Sequence, residues 1–162
     1  MIVVSNTTPL IGLATIERFD LLHALFGEIV ISQAVYREAV VAGRTEGGAK
    51  REVEAAAWIQ SVDVIDRLAV DVLLDELDLG EAETIALAGQ LNANWVLMDE
   101  RKGRRKLAQL GIRKIGTIGI LLAAKERGLI TMVSPEIERL RLQGFSISQT
   151  VVDAVLNQAH ED

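Results

Sequence analysis

The chain has no cysteine and only two histidines, and aromatic residues make up 4% of its 162 residues. Without cysteine there are no disulfides, no thiolate-ligated metal and no thiol nucleophile. His23 is predicted on a helix and His160 in the tail, so a histidine-rich metal site or a Ser-His-Asp triad has little to draw on. The scarcity of aromatics assigns the core to Val, Ile, Leu and Ala, and argues against an aromatic-rich barrel or a base-stacking module. No apolar run approaches the roughly 18 residues of a membrane span, and the N-terminus lacks the charged region of a signal peptide. A cytoplasmic location with no membrane partner is therefore expected. Excess positive charge is lacking too. The net charge of −6 argues against nucleic-acid binding by overall charge, while leaving room for a local basic patch. Any chemistry must come from carboxylates.

Aliphatic residues are plentiful, and 49% of the chain is hydrophobic. The length suits one domain spanning 1–162 with a real core, and no internal repeat or low-complexity tract divides it. Ile2, Val3 and Val4 form a β-branched run too apolar for an exposed edge, as in a buried parallel strand. The chain then turns within Ser5, Asn6 and Thr7, and Thr8-Pro9 is predicted to open a helix, with Thr8 as its cap. A buried strand that enters a helix through a tight polar turn is where α/β proteins place chemistry. Asn6 lies in that turn.

Further strands are predicted over 28–31, near 59–64, over 95–98 and at 114–115. Helices are predicted over 19–26, 35–41, 51–58, 70–77, from Glu81 to Leu91, over 103–110 and over 118–127, with a loop or helix break at 42–50. Ser32, Ser134 and Ser148 are candidate caps. The helices after about residue 134 are expected to pack on the rest, and the stripe Val151, Val152, Val155, Leu156 and Ala159 suits core better than a dimer contact. Strands alternating with helices of this length predict an α/β protein, a parallel sheet with helices on both faces.

Most of the 23 acidic residues suit a solvated surface. A few do not. On a wheel of about 100° per residue, Glu38 falls between Val35 and Val41, toward the sheet. Glu81 shares its side with Ile85 and Ala88 in the first turn of a helix, where the dipole favours an anion, while Glu83 falls outward beside Gln90. Asp99 directly follows the strand at 95–98. Asn6, Glu38, Glu81 and Asp99 would thus converge above the strand ends. Clustered carboxylates repel unless a cation joins them, and oxygen donors alone are the ligand set of Mg²⁺ or Mn²⁺. The plainer alternative makes each acid a cap or an ion-pair partner.

The sequence resembles the PIN-domain family of Mg²⁺-dependent ribonucleases, in particular its small toxin-like prokaryotic subgroup. The resemblance spans the chain. It rests on Val4-Ser5-Asn6-Thr7-Thr8-Pro9-Leu10, Ala34-Val35-Tyr36-Arg37-Glu38, the stretch from Gly80 to Ala88, the stretch from Leu97 to Arg105, and Gly116-Thr117-Ile118-Gly119. It implies a three-layer α/β/α sandwich with an acidic pocket for one or two divalent ions. Glu38, Glu81 and Asp99 match the family's later acidic positions, Thr7 matches its small hydroxyl residue, and Glu83, Glu100 and Thr117 are supporting neighbours. The departure is at the first position, where the usual aspartate is Asn6. A unit charge pair about 4 Å apart is worth about 4 kcal/mol at an effective dielectric of about 20, before desolvation offsets much of it. Metal affinity should fall accordingly.

Arg101, Lys102, Arg104, Arg105 and Lys106 form the dense basic run, suited to phosphate contacts beside Asp99 or simply to a solvated helix start. The resemblance implies an RNA substrate, a small antitoxin partner and a homodimer. Two readings follow: a metal-dependent endoribonuclease, toxin of a toxin–antitoxin pair, or a catalytically weak domain that binds RNA or a partner. A phosphatase on a related sheet would need an aspartate nucleophile at the end of the first strand, and the chain has none there.

Overall fold

β1 (Val3–Ser5) is the middle strand of an all-parallel five-stranded sheet of order β3-β2-β1-β4-β5. The other strands are β2 (Ile29–Ile31), β3 (Ile59–Ser61), β4 (Trp95–Leu97) and β5 (Lys114–Ile115). The structure is a computed structural model and describes residues 1–41 and 49–161. The break expected over 42–50 lies, except for its last two residues, outside the described residues.

The three inner strands β1, β2 and β4 face apolar packing on both sides, and the two-residue side-chain period sorts their residues into two cores. Val3, Ile29, Ile31 and Leu97 join one cluster, while Val4, Val96 and Met98 join the other. The first cluster is covered by α1 (Thr7–Thr15), α2 (Asp20–Phe26), α8 (Thr117–Glu126), α9 (Ser134–Leu142) and α10 (Gln149–Gln158), through residues such as Leu10, Leu22, Ile120, Ile137 and Val152. α3 (Gln33–Tyr36) and α4 (Lys50–Ala55) add Val35 and Val53 to it. The second is covered by α5 (Arg67–Leu73), α6 (Leu79–Leu91) and α7 (Arg101–Gln109), through Val70, Ala82, Ile85 and Leu107. This is the expected three-layer α/β/α fold. No helix among the described residues is long and apolar enough to cross a membrane.

β1 pairs β2 on one side and β4 on the other, with Ser5 opposite Leu97. The strand order reverses between β1 and β4, and such a switch point leaves a crevice beyond the carboxyl ends of the strands. Asn6 and Asp99 follow those two ends.

Several boundaries differ from the sequence expectation. α1 starts at Thr7, with Asn6 rather than Thr8 in the cap position, and Asn6 caps with backbone alone. The helix begun by α3 continues as a π-helical stretch over Arg37–Val41, so a 100° wheel misplaces Glu38. α6 starts two residues before Glu81 because Asp78 closes a capping box with it. Ser134 lies inside α9 and is not its cap. Ser148 does cap α10, accepting from the Val151 N–H. Of the α10 stripe, Val152 and Ala159 are buried and Val151 is exposed.

Candidate functional site

Asn6, directly after β1, is held at the switch point by the neighbouring strand β4. Its N–H donates to Leu97 O at 2.9 Å, and it is 4% exposed. Its amide Nδ2 donates to Glu100 Oε1 at 2.7 Å and contacts Met98 Sδ at 3.4 Å. That donation fixes the amide's orientation, because the flipped form would set two acceptors against each other. Asn6 Oδ1 is left buried with no hydrogen-bond partner. A buried acceptor without a donor is rare enough to need an explanation.

Across from it stands Glu38, on the π-helical stretch, a distortion that recurs at functional sites. The wheel placed Glu38 on the apolar side toward the sheet. Instead Ala39 and Val40 take that side, and Glu38 is exposed. Its Oε2 accepts from Thr7 Oγ1 at 3.2 Å. Gly80 makes room for the carboxylate: a Cβ there would collide with Glu38 Oε1 and lie 3.4 Å from Asn6 Oδ1. Both oxygens thus border one small space over a bare backbone.

Asp99 follows β4 and reaches the start of α8. Its Oδ1 accepts from Thr117 N at 2.7 Å and its Oδ2 from Thr117 Oγ1 at 2.6 Å. Gly116 permits this closeness, since a Cβ there would sit 2.8 Å from Asp99 Oδ1 and 3.3 Å from Arg104 Nη1. Glu81 accepts from Asp78 N at 3.0 Å through one oxygen, and its own N–H donates to Asp78. The Asp-x-x-Glu spacing of this box was legible in the sequence. Glu100 is held from a second side by Thr8 Oγ1 at 2.7 Å. Thr8, Asp78, Gly80 and Gly116 were not among the expected site residues.

Glu83 is a correction. It is 4% exposed rather than outward-facing. Its Oε1 accepts from Ala34 N at 2.9 Å, at the start of α3, and its Oε2 from Arg67 Nη1 at 2.8 Å. The wheel failed because α6 packs against α3, α5, α7, β1 and β4, which leaves almost no outward face.

The basic run is divided by its helix. Arg104 turns inward and donates to Met98 O at 2.9 Å. Arg101 borders a cavity of about 570 Å³ with Thr8, Asp99, Thr117 and Phe145. Lys102, Arg105 and Lys106 line a different cavity with Glu76, to which Lys106 is also paired. Two of the five cations therefore stand beside the acids.

The acids are electrostatically frustrated. Glu38 is open to solvent as a residue, but partial desolvation of its carboxylate is the main reason it lies above the usual carboxylate range, with repulsion from Asp78, Glu100 and Glu83 added and the Thr7 bond opposing. Burial likewise raises Glu81, with Asp78, Glu100 and Glu38 adding to it. Burial raises Asp99 as well, against the Thr117 bonds and the Arg104 charge. Among the described residues, no three His, Cys, Asp or Glu side chains stand close enough together to hold a metal ion. An ion here would draw on the neutral Asn6 Oδ1 and on water besides the acids. Mg²⁺ usually keeps several waters. The donors fit a hard dication: they are all oxygens, one is buried without a partner, and the space beside it is kept open by Gly80.

A family model described as a PIN domain matches residues 2–161. No curated protein matches the chain at a significant level.

Proposed function

The chain belongs to the PIN-domain family, whose members are generally nucleases using divalent metals, and from that premise we propose a divalent-metal-dependent endoribonuclease. The observation that carries the reading is the unpartnered, buried Asn6 Oδ1 facing Glu38 across Gly80. It is an acceptor waiting for a cation or a metal-held water. Mg²⁺ or Mn²⁺ would draw its ligands from Glu38, Glu81, Asp99 and Asn6 together with water, the three acids having to close on the ion because they do not stand close enough to share one without it. Such an ion supplies an activated water and charge stabilisation for in-line displacement at a phosphodiester.

The chain's own residues do the positioning. Thr117 aims Asp99, Thr7 aims Glu38, and the capping box fixes one Glu81 oxygen. Arg101, at the mouth of the cavity beside Asp99, would take a backbone phosphate of single-stranded RNA, and Arg104 tempers the acid charge next to it. The toxin role, the small antitoxin, the homodimer and the cytoplasmic setting belong to the same proposal and rest on the motif resemblance.

The test is cleavage of a single-stranded RNA with Mn²⁺. Activity should vanish in chelator and fall about a thousandfold in Asp99→Asn, an order typical of losing one preorganised electrostatic group, with the fold intact by circular dichroism. Cleavage that survives chelator would overturn the reading. A second reading, a weak or inactive module that binds RNA or a partner, is favoured by the complete engagement of Asp99 with Thr117. Tight RNA binding without turnover at any metal concentration would select it.

A further inference from the structure

We propose that Glu100 carries the negative charge that the first strand end lacks, and that Asn6 is its positioning residue. The acidic set of this chain would then be Glu38, Glu81, Asp99 and Glu100. The inference rests on the metal-dependent reading above and concerns which residues make that site.

Glu100 occupies the cap position of α7 with extended backbone, yet its side chain makes no cap bond to that helix. Its two oxygens are instead taken by Asn6 Nδ2 and Thr8 Oγ1, each at 2.7 Å. Both donors are neutral. They orient the carboxylate without cancelling its charge, as an Arg or Lys partner would. The charge is felt across the cleft, since Glu100 repels Glu38, Glu81 and Asp99 alike. Asn6 connects the two sides, with Nδ2 on Glu100 and Oδ1 toward Glu38 over Gly80.

The choice of asparagine then has a physical reason. A carboxylate accepts and cannot donate. Aspartate at position 6 would set two like charges at the distance of the present hydrogen bond and force Glu100 off Asn6's side of the cleft. Asparagine at 6 and glutamate at 100 form a matched pair: the amide has moved to one position and the charge to the other. Position 6 alone reads as a lost charge. Read with position 100, the charge has been moved.

The pair predicts a reciprocal result that the loss of an acid does not. Mn²⁺ binding is measured by calorimetry, and RNA cleavage in parallel, for the natural chain, Asn6→Asp, Glu100→Gln and the double variant. Glu100→Gln should weaken Mn²⁺ binding about tenfold. Asn6→Asp alone should bind no more tightly than the natural chain. The double variant, with the charge back at 6 and an amide donor at 100, should recover to within about threefold of the natural affinity. Thermal unfolding in chelator checks that each variant is folded. A tenfold gain from Asn6→Asp alone, an unchanged Glu100→Gln, or a double variant no better than Glu100→Gln overturns the proposal. Absence of Mn²⁺ binding by the folded natural chain overturns it too. If the binding pattern holds and no protein cleaves RNA, the pair stands and the nuclease reading fails.

Discussion

Glu81 and Glu83 stand two residues apart on α6, are both buried, and are pushed in opposite directions. Burial raises Glu81 above the usual carboxylate range. It acts the same way on Glu83, but bonds from Ala34 N–H, Arg67 and Ser32 outweigh it and hold Glu83 below that range. The contrast extends through the molecule. Glu136 is paired with Arg18 at 2.9 Å, and Glu161 with Lys125 at 2.7 Å, and both side chains are nearly sealed from water. Glu38, Glu81 and Asp99 are instead held by hydroxyls and backbone N–H groups, with the nearby Arg104 guanidinium bonded to Met98 O rather than to an acid. One set of acids has its cations built in. The other has oriented donors and too little positive charge, which costs stability and leaves the cleft receptive to a cation.

The paired set should respond to truncation as structure. Glu83→Ala strips a partner from the start of α3 and from Arg67 together, and should cost about 3 kcal/mol of unfolding free energy in urea titration. Arg67→Ala should cost less, because Arg67 is more than half exposed. If Glu83→Ala keeps its stability and loses RNA cleavage, Glu83 belongs with the cleft acids and the division collapses.

Glu161 tests the same division through pH. Burial raises it, but Lys125 and the N–H groups of Val133 and Ser134 together lower it. A carboxyl whose folded pKa is depressed contributes stability that is complete above its unfolded value, and that is lost as pH falls through the folded one. Glu161→Gln should therefore be about 1–2 kcal/mol less stable near neutrality. Its stability should be flatter than the natural chain's from about pH 5 downward, since the variant has no such group to protonate. Parallel pH profiles for the two proteins would remove Glu161 from the paired set.

What the sequence disclosed, and what it hid, follows from the range of the forces involved. The strands at 3–5, 29–31 and 95–97 were legible because burial on both faces demands unbroken β-branched and aliphatic runs. Ser32 and Ser148 were legible as caps because that bond spans three residues. Glu38 and Glu83 were misread because a wheel assumes one helical period and one solvent face. The π-helical stretch breaks the first assumption, and packing on five elements breaks the second. The bond from Asn6 to Glu100 joins positions 94 residues apart, so no local pattern announces it. Asn6 could be seen to lack a charge from the sequence, but where the charge went needed the fold.

The smallest expected effect is the most diagnostic of frustration. Glu38 is raised chiefly by partial desolvation of its carboxylate, with neighbouring acids adding to it. A carboxyl with a raised folded pKa costs stability at neutral pH, and the cost is relieved as pH falls through that value. Glu38→Gln keeps an oxygen for Thr7 Oγ1 and removes the charge. It should therefore be slightly more stable than the natural chain at pH 7, by no more than about 0.5 kcal/mol because water screens an exposed group. The gain should shrink toward acid pH, where the natural carboxyl is itself neutral. Thermal unfolding in chelator at pH 7 and pH 4 measures both. Saturating Mn²⁺ should reverse the order, since an ion that binds the folded natural chain more tightly stabilises it more. A variant less stable than the natural chain in chelator at pH 7 would mean that Glu38 is satisfied where it stands. The cleft acids would then differ from the paired ones in partner and not in energy.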